Sequence, residues 1–161
     1  MIFTAVVHLL LVDAVTKELA VHYLGDGSQT VVVPGLLNLA YVENRGCAWG
    51  MLQGQVWPLA AFAAVALAAL VWKRREVFME DAKGWRRTAG RFAEWLLYAG
   101  ILGNFIDRAW RGYVIDFLDF HWGASHFPCF NMADSYITVA VALLVAMSFG
   151  SRPQDAAKGA A

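Results

Sequence analysis

The sequence predicts an all-α membrane protein: four transmembrane helices with a small extracytoplasmic β-rich surface segment. Three observations predict it. Hydrophobic residues make up 59% of the 161 and charged residues only 16%, against about 45–50% and about 25% in soluble domains. Four segments approach the roughly 17–25 mostly apolar residues that a membrane-crossing helix requires. The basic residues gather between the second and third of these segments, as a loop retained on the cytoplasmic side would have them. The 7 tryptophans and 10 phenylalanines fit rings seated at headgroup level. The length suits one domain, residues 1–161. A formal net charge of zero gives no reason to expect a nucleic-acid partner.

The first helix is expected over about residues 2–23, with Asp13, Lys17 and Glu18 inside it. No basic residue precedes its apolar run, and Asp13 and Lys17 interrupt that run, so it reads as a retained helix and not as a cleaved signal. An outer segment over about 24–55 follows. There Thr30-Val31-Val32-Val33 and Leu36 to Val42 flank Pro34-Gly35, two extended runs about a turn, which predicts a small sheet or hairpin on the membrane surface. The second helix, about 56–72, carries no charge. The stretch from Lys73 to Arg91 holds Lys73, Arg74, Arg75, Lys83, Arg86, Arg87 and Arg91 and is placed in the cytoplasm. The third helix is expected over about 92–109, a second outer connection over 110–130, and the fourth helix over about 131–149. Both termini then face the cytoplasm, and the small polar tail from Arg152 to Ala161 is expected to be disordered. Cys47 and Cys129 form no CxxC pair, which leaves zinc and redox motifs unsupported. They read as unpaired packing cysteines, and the sequence does not decide whether they ever pair.

Ionisable side chains in such segments are expensive, about 2.5–3.5 kcal/mol each on insertion scales, so they are functional candidates by default. Asp13, Thr16 and Lys17 share one helical face by their spacing. They make either an intrahelical ion pair or a pair that orients a neighbouring site. Asn104, Asp107 and Arg108 share another face, after Gly100 and Gly103, which let a second helix approach. A structural network and a substrate contact fit them equally. Asp116 stands between Ile115 and Phe117, which favours a partly buried carboxylate. Asn131 and Asp134 open the fourth helix, where a helix dipole also favours an acid. Only 17 residues separate Asp116 from Asp134, so the two can converge. Two carboxylates in a low-dielectric site do not both ionise easily. Such a pair can activate water and protonate a leaving amine. Spacing alone does not select this pair, since Asp107 and Asp119 lie in the same region. His121 and His126 have no metal-binding spacing, and His8 has no evident role.

Five blocks, in order, resemble the bacterial lipoprotein signal peptidase (signal peptidase II) family over nearly the whole chain. They are Asp13-Ala14-Val15-Thr16-Lys17, Asn44-Arg45-Gly46-Cys47-Ala48-Trp49-Gly50, Gly103-Asn104-Phe105-Ile106-Asp107-Arg108, Val114-Ile115-Asp116-Phe117, and Phe127-Pro128-Cys129-Phe130-Asn131-Met132-Ala133-Asp134-Ser135. The resemblance implies an aspartic peptidase whose catalytic dyad is Asp116 and Asp134. It implies that Asn44, Gly46, Asn104, Arg108 and Asn131 shape the substrate site and that Asp13 and Lys17 support it, with Asp107 in the same block as Asn104. The implied substrate is a prolipoprotein carrying diacylglycerol on its lipobox cysteine, cut just before that cysteine. The family needs no metal or other cofactor and is inhibited by globomycin. The implied setting is the bacterial inner membrane, multi-pass, with the active site on the extracytoplasmic side and a monomer working among membrane lipids. Ala14 stands where the family commonly has glutamine, so any hydrogen bond from that position is absent. Two rival classes are a small proton-coupled transporter using Asp13, Lys17 and Asp134 as a relay, and a non-catalytic lipoprotein-binding family member. The expected repeats and broken helices of a transporter are not evident.

Overall fold

The computed structural model describes residues 2–149. Helix α1 (Ile2–Leu24) leads to a hairpin of β1 (Thr30–Val33) and β2 (Leu37–Asn44), then a short 3-10 turn at Ala48–Gly50. Helix α2 (Val56–Trp72) is followed by the single turn α3 (Arg74–Val77) and the long α4 (Trp85–Arg111). Strands β3 (Val114–Trp122) and β4 (Ser125–His126) then precede α5 (Met132–Ser148).

Among the described residues no helix is long and apolar enough to cross a membrane. This corrects the expectation of four transmembrane helices, and with it the multi-pass inner-membrane placement, the cytoplasmic termini and the outward-facing site built on it. The reasons lie in length and charge. Helices α2 and α5 have 17 residues each, about 25 Å at 1.5 Å per residue, short of a hydrocarbon core about 30 Å thick. Helix α1 carries Asp13, Lys17 and Glu18. Helix α4 begins seven residues before its expected start and takes in Arg86, Arg87, Arg91 and Glu94. Five helices, not four, are present among the described residues. The expected disordered tail lies outside the described residues.

The hairpin read from residues 30–42 forms, but the sheet does not end at residue 55. Strand β3 lies antiparallel to β2, and β4 pairs with the end of β3, giving the order β1-β2-β3-β4. The connection expected between the third and fourth helices is therefore largely strand. Its Val114, Ile115 and Phe117 are buried, which is what a β-branched and aromatic run needs to repay being ordered as a strand. The β2–β3 register shifts between Leu39 and Val42: two steps on β3 oppose three on β2, a bulge that re-aims the side chains beyond it. Beyond it Val42 faces Asp116 and Asn44 faces Val114. Asn44 and Asp116 thus become diagonal neighbours.

Two apolar clusters hold these layers. One joins Val6 of α1, Leu97 and Tyr98 of α4 and Tyr136 and Ala140 of α5. The other seats the sheet on α1 through Ala20, Leu24, Ile115 and Phe117. The helices meet closely because α4 offers glycine where they cross. A Cβ on Gly100 would lie 2.5 Å from the carbonyl oxygen of Ala133, and one on Gly103 would lie 2.6 Å from Asp13 Oδ2. At the other end of α4 the buried Glu94 is held by Arg74.

Candidate active site

Asp116 is supplied by β3 and Asp134 by the first turn of α5, and the amides of Asn131 and Asn104 join them. Asn131 Nδ2 donates to Asp116 Oδ1 at 2.7 Å and reaches Asn104 Oδ1 at 3.2 Å. Asn104 Nδ2 donates to Asp134 Oδ1 at 2.7 Å. From the far side Asn44 Nδ2 donates to Asp116 Oδ2 at 2.9 Å. Asn131 also caps α5: its Oδ1 accepts from the Asp134 backbone N–H at 3.0 Å, and its own N–H donates to Asp134 Oδ2 at 3.3 Å. The cap satisfies otherwise orphaned amides and places Asp134. The same side chain therefore sets the helix start and spans the two carboxylates.

Both carboxyl groups are driven toward the neutral form. Burial first, and the charge of Asp134 second, push Asp116 up to about 7, against hydrogen bonds from Asn44 and Asn131. Burial raises Asp134 as well, opposed by Asn104, the Asn131 backbone and the cations Lys17 and Arg108. Arg108 lies beside both acids and is pinned by donating to the carbonyl oxygens of Gly46 at 3.1 Å and Asn104 at 3.3 Å. Gly46 N–H in turn donates to Asn44 Oδ1 at 2.9 Å. A Cβ at Gly46 would lie 2.4 Å from the Met51 carbonyl oxygen, so the tight loop that brings this carbonyl to Arg108 has no room for a side chain.

A second layer lies beneath. Lys17, 1% exposed, sits 2.8 Å from Asp13 Oδ2 and 2.8 Å from Asp107 Oδ2, and donates to Asn104 Oδ1 at 3.3 Å. Asp13 Oδ1 accepts from the Ala133 backbone N–H at 2.9 Å, and Asp107 Oδ2 from that of Ile115 at 3.4 Å. Each acid thus ties its helix to a backbone next to the dyad. Ten of the residues singled out in the sequence, Asp13, Lys17, Asn44, Gly46, Asn104, Asp107, Arg108, Asp116, Asn131 and Asp134, come together in this one network, whereas Asp119 pairs with His126 at 2.7 Å.

Other features were not legible beforehand. Arg111 pairs with Asp107 at 3.3 Å and with Glu18; its i, i+4 spacing from Asp107 was the available signal. The dyad opens into a cavity of about 800 Å³. Its polar end holds Asn44, Asn104, Arg108 and the two aspartates, and its other walls are apolar, from Leu59 and Phe62 of α2 to Ile101 and Val139. Trp49, in a left-handed conformation (φ 62°), meets Phe127 edge to face at 5.8 Å, and both rings line the cavity. Both cysteines line this cavity as free thiols. Burial pushes that of Cys129 up to about 12. Among the described residues no group of three or more His, Cys, Asp or Glu is placed to hold a metal ion.

Comparison with known proteins gives one answer. The family profile described as Signal peptidase (SPase) II matches residues 5–150. Lipoprotein signal peptidase of Geobacillus kaustophilus is 37% identical over 89% of this chain and 90% of its own. That of Symbiobacterium thermophilum is 40% identical over 83% and 84%, and that of Francisella tularensis subsp. novicida 36% over 95% and 94%. A solved bacterial membrane enzyme superimposes with TM-score 0.78 at 34% identity, covering 94% of both chains; another gives 0.77 over 92% and 87%. These matches leave nothing to favour a small carrier. The carboxylate pair and the residues that hold it lie within the matched span, and the chain belongs to the signal peptidase II family of lipoprotein signal peptidases.

Proposed function

We propose that this protein is an aspartic endopeptidase that acts on lipoprotein signal peptides in a membrane context, with Asp116 and Asp134 as its dyad. The observation that carries the reading is the pair of buried carboxyl groups spanned by Asn131 and Asn104 at the polar end of a largely apolar cavity. Asp134 receives an amide, a backbone N–H and two nearby cations, so it is the member that holds the negative charge and deprotonates water. Asp116, raised to about 7, keeps its proton and polarises the scissile carbonyl by donating a hydrogen bond to it, and the proton that Asp134 took from water passes to the leaving nitrogen as the tetrahedral intermediate collapses to the free amine, which returns Asp134 to its charged form. Arg108 fixes the Gly46 loop beside the reacting groups, and Lys17 orients Asn104 from below. The finer assignment is a diacylglyceryl-modified prolipoprotein cut just before its lipidated cysteine by a monomeric enzyme. It is supported by the apolar walls: acyl chains and the apolar part of a signal peptide require such a surface, and most of α2 outside Ala60 is exposed, including Trp57, Phe62 and Val65. A substrate seated there by its lipid avoids much of the entropy of positioning.

A gel-shift assay tests this with purified protein, one lipid-modified prolipoprotein and the same precursor without lipid. Cleavage of the lipidated form alone, lost in Asp116→Asn and Asp134→Asn with melting behaviour retained, is the expected result. Wild-type turnover in either variant removes the dyad assignment.

A further inference from the structure

The 17 residues from Phe117 to Ala133 link the two aspartates, and four of them, Phe127 to Phe130, wall the cavity. The downstream end of this wall is secured: Phe130 N–H donates to the Leu118 carbonyl at 3.2 Å, its carbonyl accepts from Phe117 and Leu118, and Asn131 begins the cap. The upstream end has much less backbone support. Strand β4 is only Ser125–His126, and Phe127 N–H donates to the Phe120 carbonyl at 2.8 Å. What holds it further is a side-chain pair with no part in the chemistry above. His126 Nδ1 donates to Asp119 Oδ1 at 2.7 Å. Asp119 is 8% exposed, an expensive place for a carboxyl group without a partner. The His121 ring stacks on that of His126 with centroids 5.0 Å apart and its Nδ1 lies 3.3 Å from the Gly123 carbonyl, so the turn and the pair are packed as one unit. Phe127, the next residue, reaches both Phe130 and Trp49.

We infer that Asp119 and His126 are positioning residues that anchor the Phe127–Phe130 wall of the substrate cavity. The inference rests on the peptidase reading for its kinetic consequence but not for its structural one. The anchor acts on binding: the wall touches the cavity, while Asp116 and Asp134 are held by Asn44, Asn131 and Asn104, whose hydrogen bonds go to other partners than Asp119 and His126. Asparagine at position 126 carries an amide N–H in roughly the place of Nδ1, so it can keep the bond that alanine loses.

Two measurements test this on the full-length protein in a Cys47→Ser background, where Cys129 is the remaining thiol. The first is the rate at which N-ethylmaleimide alkylates Cys129, which needs no peptidase activity. His126→Ala and Asp119→Ala should each speed it about tenfold, and His126→Asn should bring it back near the parent rate, as expected for loss and retention of one charge-assisted hydrogen bond. The second is cleavage of the lipidated prolipoprotein. KM should rise about tenfold in the alanine variants with kcat changed by less than about twofold, and His126→Asn should restore KM. Unchanged alkylation in both alanine variants, or His126→Asn no better than alanine, overturns the anchor. A fall in kcat at constant KM overturns its assignment to binding. Absence of cleavage by the parent with the alkylation pattern intact counts against the peptidase reading and leaves the anchor standing.

Discussion

Lys17→Met separates the two tasks of the buried layer. The substitution removes a charge and nearly preserves volume, in a position 1% exposed. It leaves two buried acids, each 2.8 Å from the missing ammonium: Asp13 without a cation among the described residues, and Asp107 with Arg111 alone, at 3.3 Å. Breaking a buried pair in this way costs about 3–5 kcal/mol. In a chain of this size a kcal/mol shifts the melting temperature by about 2–4 °C, so the variant should melt about 6–20 °C lower. The triple variant Asp13→Asn/Lys17→Met/Asp107→Asn removes the stranded charges and should recover most of that loss, since neutral replacement of a buried ion pair is often close to neutral in stability. It should not recover activity. Asn104 Oδ1 has lost its ionic donor, and a hydrogen bond to a charged group is worth about 1.5–3 kcal/mol, which corresponds to about 10–150-fold in kcat/KM. Differential scanning fluorimetry and cleavage kinetics on the same preparations read both quantities. A Lys17→Met protein that melts with the wild type, or a triple variant with full kcat/KM, would refute the division of labour.

Further outcomes follow from the same geometry. With Asp116 raised to about 7 and required in its protonated form, kcat/KM should decline as pH rises past about 7, and a second limb at lower pH should mark protonation of the pair's base; the two limbs belong to the pair jointly. A pH-independent rate between about 5 and 9 would contradict the acid role. The same shift has a stability consequence. The folded state holds a proton that the unfolded chain, with an ordinary aspartate near 3.9, releases, so this group's stabilising contribution is complete below about 4 and lost as pH rises through about 7. The raised Asp13 and Asp134 add with the same sign. Melting curves across that window should show a smaller fall for Asp116→Asn than for the wild type, and equal slopes would count against the burial of Asp116. Gly103→Ala puts a methyl group 2.6 Å from Asp13 Oδ2 and should destabilise by about 1–3 kcal/mol through overpacking; an unchanged melting temperature would mean that α1 and α4 have slack at this crossing.

The sequence by itself determined, through five ordered blocks, the family to which the chain belongs, and it named ten residues that the fold brings together. Asn104, Asp107 and Arg108 on one helical face, and Asn131 three residues before Asp134, are local relations that a 3.6-residue period makes readable. The hairpin about Pro34-Gly35 was readable for the same reason, because turn chemistry is short-ranged. Helix bounds were readable as well, since α2 covers 56–72 as expected and α5 lies within 131–149; composition misled only on span, because an apolar stretch reveals that a segment avoids water, not that its helix is long and apolar enough to cross a membrane, and among the described residues none is. Strand β3 was missed because its partner β2 lies some 70 residues upstream, and pairing at that separation leaves no local mark. Only the tertiary structure decided that Lys17 serves Asp107 and Asn104 as well as Asp13, that a bulge sets Asn44 beside Asp116, and that one asparagine both caps α5 and spans the dyad. Each of these depends on contacts between distant segments, where a few tenths of an ångström separate a hydrogen bond from a stranded charge, and residue order alone does not specify such distances.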